Sequence, residues 1–174
     1  MIEQNNEYNE NSERAIIGDE FSKQTLEEIK LYFPEAHHSI GKVPEYDIII
    51  PLEEYSYPKI ECKVCGVERD HDNKLYVKVP ENIFIISESK FVRLKYKNFF
   101  DEYSTNYFRL SSLKKYYEKM KTSNNLKVID INGRKIIMWP LHLLEGMYSK
   151  IKDTEELINF IKKDNGRKNK MPKS

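Results

Sequence analysis

The sequence predicts a mixed α/β domain, and three observations carry that reading. A helical apolar stripe occupies residues 12–33. Two strongly apolar strand patterns follow, around 46–50 and 59–64. An Asn132-Gly133 pair stands between two further apolar runs.

In the first segment Ile16, Ile17, Phe21, Leu26, Ile29 and Phe33 recur at helical spacing, and Pro34 closes the helix. Residues 1–11 are polar and acidic with no such stripe, so disorder is expected there. A short strand is expected around His38–Val43. The unbroken Ile48-Ile49-Ile50 run after Tyr46-Asp47 reads as a strand buried on both faces. Pro51 stops it, and Leu52–Pro58 is expected to turn the chain. Lys59 to Val64 then alternates, with Ile60, Cys62 and Val64 on one face and Lys59, Glu61 and Lys63 on the other.

Beyond this, Gly66–Asn73 reads as a charged loop, Leu75–Val79 fits a strand or a helical turn, and Ile83–Ser87 reads as a strand. The aromatic-rich stretch 91–108 has no clear period. Leu110, Leu113, Tyr117 and Met120 mark a helix. Leu126–Ile131 and Arg134–Trp139 flank Asn132-Gly133, a strong hairpin signal. Pro140 opens a short helix, and Asp153 with Glu156 three residues on resembles a capping box for the last one. The expected division is a disordered 1–11, one domain over 12–161 and a basic tail over 162–174. Within the domain a core spans about 13–90 and a helix-and-hairpin extension about 91–161.

The chain has 174 residues, 39% hydrophobic and 33% charged, which describes a globular domain with a real core. Its first residues do not resemble a signal peptide and no apolar run suits a bilayer, so an intracellular (cytoplasmic) location and no membrane partner are expected. The net charge of +1 does not declare a nucleic-acid binder. Cys62 and Cys65 have C-x-x-C spacing with His71 nearby, and His37 or His38 would have to complete a zinc site. Alternation instead places Cys62 among apolar strand neighbours, as a packing residue.

Chemistry concentrates at Asp47, Glu61 and Lys63. Phosphodiester hydrolysis needs a divalent cation on oxygen ligands, an activated water and a positive charge near the phosphate. Two carboxylates and a lysine supply all three if the strands 46–50 and 59–64 pair. Glu-x-Lys also occurs at Glu28 and Glu88, but only Asp47 and Glu61 sit in strongly apolar strands, where a carboxylate is costly unless something binds it. A surface ion pair would account for Glu61 with Lys63 but not for Asp47.

Residues 13–87 resemble the PD-(D/E)XK nuclease superfamily, which includes restriction enzymes and Holliday-junction resolvases; Tyr46 stands where its motif has proline. The resemblance implies a restriction-endonuclease-like mixed β-sheet core flanked by helices. It implies Mg²⁺ or Mn²⁺ held by Asp47, Glu61 and the backbone carbonyl of Cys62, with Lys63 activating the water. A helix glutamate, Glu20 in preference to Glu13, would assist. The implied function is a DNA endonuclease, restriction-like or junction-specific, acting as a homodimer. The competing reading is a non-catalytic DNA-binding or interaction module on the same fold. Arg93, Lys95 and Lys97, the lysines of helix 110–121, and Tyr96, Tyr103 and Tyr107 are further candidates for DNA contact.

Overall fold

The computed structural model describes residues 2–39, 47–52, 58–86 and 89–169, with side chains from Ile16 to Asp164 within those ranges. The chain is α/β. Helix α1 (Ile2–Lys30) leads into strands β1 (His37–His38), β2 (Ile48–Ile49) and β3 (Lys59–Val64). Next come β4 (Val67–Arg69), β5 (Leu75–Pro80), the short helix α2 (Asn82–Ile86), β6 (Phe91–Lys97) and β7 (Tyr103–Arg109). Helix α3 (Leu110–Thr122), the hairpin β8 (Lys127–Ile131) and β9 (Arg134–Pro140), α4 (Leu141–Glu145), β10 (Lys150–Ile151) and α5 (Thr154–Asn169) complete it.

A mixed six-stranded sheet in the order β1-β2-β3-β6-β7-β10 forms the centre. Among the described residues only β3 and β6 run parallel within it, Glu61 opposite Val92 and Lys63 opposite Leu94. The remaining strands form a four-stranded antiparallel sheet, β4-β5-β9-β8. Strand alternation divides the apolar residues into two cores. Ile48, Ile50, Ile60, Cys62, Phe91 and Tyr107 pack with Phe21 and Ile29 of α1 and Leu157 and Ile161 of α5. Val92, Leu94, Tyr96 and Phe108 pack on the other face against β5, β9 and helices α2 to α4. Trp139 is fully buried there, stacked on Tyr116 with ring centroids 5.8 Å apart, as the packing reading expects.

Several expectations change. Helix α1 (Ile2–Lys30) reaches into the stretch 1–11 expected to lack structure, and α5 (Thr154–Asn169) into the basic tail expected over 162–174. Within the stretch expected as an extension, β6 and β7 complete the central sheet and β9 pairs with β5. The charged loop 66–73 contains β4, which forms a hairpin with β5; an apolar count misses it because Glu68 and Arg69 are exposed. Ile83–Ile86 is helical, not a strand: α2 follows directly on β5, burying Ile83 and Phe84 while Ile85 is 73% exposed. Of the triple isoleucine, Ile48 and Ile50 are buried but Ile49 is only partly so. The expected strand beyond Ser39, Pro44, Tyr46 and most of the turn 52–58 lie outside the described residues.

Other local signals act as read. Asn132 and Gly133 take φ of 52° and 80°, the left-handed pair that a two-residue hairpin requires. Asp153 Oδ1 accepts the N–H of Glu156 at 2.8 Å, and Glu156 reaches back to the N–H of Lys152 at 3.3 Å, closing a variant of the capping box.

Candidate functional site

Asp47 and Glu61 are brought together by strand register. Ile48 pairs with Ile60 and Ile49 with Lys59, so one step further along the antiparallel ladder sets Asp47 opposite Glu61. Asp47 is further pinned by its own atoms. Its N–H donates to the Ile60 carbonyl at 3.0 Å, and its Oδ2 accepts the N–H of Cys62 at 2.7 Å. Because N–H and C=O of one strand residue face the same neighbour, the Cys62 carbonyl faces this edge too.

The electrostatics follow from burial. Glu61 is 6% exposed, and its Oε2 has no hydrogen-bond partner among the described residues. Burial raises its carboxyl to about 7, with the nearby Asp47 charge adding to the rise and Lys63 opposing it. Burial likewise raises Asp47, against the lowering effects of the Cys62 N–H, Lys63 and His38. Lys63 Nζ lies 3.7 Å from Glu61 Oε1 and remains partly open to solvent. Two adjacent carboxylates, both pushed upward and one with an unpartnered oxygen, fit a divalent cation as their natural counter-charge. Among the described residues no group of three or more His, Cys, Asp or Glu side chains is placed to hold a metal, so the protein ligands would be two carboxylates and a carbonyl.

Glu20 does not join them. Glu20, on the same flank of α1 as Glu27, and its neighbour Asp19 are both exposed, and of the two it is Asp19 whose charge reaches Asp47, as the smallest of the influences on it. At about 100° per residue, Asp19 lies on the flank carrying Leu26 and Ile29, and Glu20 on the opposite one. The buried series Phe21, Thr25, Ile29 fixes the inward face of α1 but puts Asp19 and Glu20 about equally far from it, one on each side. The side chain of Glu13 lies outside the described residues. His38, which the sequence offers as a zinc completer, has its Nδ1 3.3 Å from the Asp47 carbonyl.

The other candidates sort by face. Cys62 and Cys65 are buried in different cores, on opposite faces of the sheet, which leaves no joint zinc or redox site. His71 is exposed beside Asp72 in a polar turn. Arg93 is buried against Glu28, so it is not a DNA contact, and Tyr96 and Tyr107 are core. Lys114, Lys115, Lys119 and Lys121 are exposed on α3. Among the described residues no helix is long and apolar enough to cross a membrane.

Beside Lys63 a cleft of about 450 Å³ opens between α2 and the tip of the β8–β9 hairpin. No protein-family model, curated protein or solved structure matches this chain.

Proposed function

We propose that this protein is a metal-dependent DNA endonuclease that hydrolyses phosphodiester bonds at Asp47, Glu61 and Lys63. The observation that carries the reading is the facing Asp47–Glu61 pair, Glu61 buried and Asp47 partly so, beside a lysine on the same strand face. A structural ion pair would place one carboxylate by the lysine, not two against each other. The mixed sheet flanked by helices and the resemblance of residues 13–87 to the PD-(D/E)XK superfamily support the same assignment.

Asp47, Glu61 and the Cys62 carbonyl would hold Mg²⁺ or Mn²⁺, with Asp19 in place of Glu20 as the helix carboxylate nearby. The bound ion supplies positive charge that acidifies water and polarises the phosphate. Lys63, fixed by Glu61 and half-open to solvent, orients the attacking water and offsets charge building on the phosphate oxygens. The Cys62 N–H holds the Asp47 carboxylate in one rotamer, so the pair is set before substrate arrives. One such centre cuts one strand; cutting both strands of a duplex or junction would take a homodimer.

Incubating the protein with Mn²⁺ and linear, supercoiled, single-stranded and branched DNA tests the reading. Cleavage of at least one substrate is expected, with Lys63→Ala lowering the rate about 100-fold at unchanged melting temperature. Intact DNA in all four arms would reject catalysis and leave the non-catalytic module.

A further inference from the structure

We propose that the cleft beside Lys63 seats the nucleotide next to the scissile phosphate, with Arg134 binding a neighbouring phosphate of the DNA strand. This rests on the reading of Asp47, Glu61 and Lys63 as a phosphodiesterase centre.

The cleft shares Lys63 with that centre, and Asn82, Ile85, Arg134, Lys135 and Ile136 also line it. Its volume of about 450 Å³ admits one small ligand, within the usual range for such pockets, and excludes a folded duplex. Its charge is one-sided. Three cations face one carboxylate, Glu81, which is already engaged by the Tyr117 hydroxyl at 2.7 Å. Arg134 and Lys135 form no ion pair among the described residues. Cations left unpaired around a concavity favour an anionic occupant, and a guanidinium suits a phosphate's paired oxygens. Ile85, 73% exposed on α2, and Ile136 offer apolar surface to the sugar and base.

The hairpin tip is also held in place. Asp130 Oδ1 accepts the Gly133 N–H at 2.8 Å, which stiffens the turn just before Arg134. The Lys135 carbonyl accepts the Glu81 N–H at 3.0 Å, tying the hairpin to the corner between β5 and α2. Arg134 thus lines the same cleft as Lys63 from a turn whose backbone is already pinned, so only its side chain is left to be ordered when a strand binds.

Fluorescein-labelled single-stranded and duplex DNA, titrated with the full chain in Ca²⁺ over a range of salt, tests this. Arg134→Ala is expected to weaken binding about tenfold and to flatten the slope of log K against log salt by about 0.7–0.9. Arg134→Lys should recover most of the slope. Lys127→Ala, at the far end of the same hairpin, should bind like wild type. In cleavage, Arg134→Ala should act on KM more than on kcat. Wild-type affinity and slope in Arg134→Ala would overturn the assignment while leaving the nuclease reading intact. Binding that responds to Arg134 without any cleavage would overturn the nuclease reading, and the Arg134 contact would stand as part of a binding module. A wild-type chain that binds neither DNA overturns the Arg134 assignment, while the four cleavage arms decide the nuclease reading.

Discussion

Replacing Glu61 with Gln is expected to lower cleavage steeply and, in metal-free protein at pH 8, to stabilise the fold. The two effects share one cause. The carboxyl of Glu61 is raised from 4.5 to about 7 by burial first and by Asp47 second. A group whose folded pKa is raised contributes stability that is fully present below its unfolded pKa and lost as pH climbs through the folded one. For Glu61 the window runs from about 4.5 to about 7. Integrated over that interval, the loss is on the order of 3 kcal/mol. Gln has the same shape and no charge, so it escapes the loss; the forfeited pairing with the half-exposed Lys63 is small.

Thermal melts in EDTA should therefore show wild type falling relative to Glu61→Gln between pH 5 and pH 8. Mn²⁺ at pH 8 should raise the wild-type melting temperature and leave the variant nearly unmoved, since a ligand that binds only the folded state stabilises it. Activity of the variant should fall about a thousandfold, the scale of losing a principal electrostatic stabiliser. A variant that melts below wild type at pH 8 would mean that Glu61 serves the fold rather than a ligand.

Glu28→Ala is expected to be strongly destabilising although it lies outside the site. Arg93 rises from β6 into the core under α1, with its side chain 7% exposed. There it pairs with Glu28, donates to Thr25 Oγ1 at 2.9 Å and lies over the rings of Phe21 and Tyr107. Its Nε is buried without a partner among the described residues. Removing Glu28 leaves that charge buried against neutral groups only, at a cost of about 3 kcal/mol. Glu28→Gln keeps an acceptor and should cost about 1 kcal/mol. Adding Arg93→Met to Glu28→Ala should recover much of the loss, because an apolar chain of similar length fills the space. Urea denaturation of the four proteins measures this, and a Glu28→Ala loss below about 0.5 kcal/mol would show that the network does not secure α1.

The residues at the centre of the site were legible in the sequence because local pattern places them. Alternation over Lys59–Val64 put Glu61 and Lys63 on one face, and the apolar context of Asp47 demanded a reason for its charge. The register that sets Asp47 opposite Glu61 then follows from a simple antiparallel turn-back. The helix carboxylate was harder: Asp19 and Glu20 differ by 100° of rotation, and the choice depends on which flank of α1 faces the β2 edge. The Arg134 cleft was not legible at all. It forms only because β9 pairs with β5 across more than fifty residues of chain, a contact with no local trace. The hydrophobic count also misled at Ile83–Ile86, where a short apolar run has the same composition as a strand or as one turn of buried helix.

The separation of Cys62 from Cys65 gives the chain two independent clocks. Burial pushes the Cys62 thiol far up and the Cys65 thiol to about 12, so neither supplies thiolate to a reagent while its surroundings stay closed. Each thiol belongs to a different core, one under α1 and α5, the other toward the four-stranded sheet. The order in which they react with an alkylating agent therefore times which side of the central sheet opens first, without any label being added to the protein.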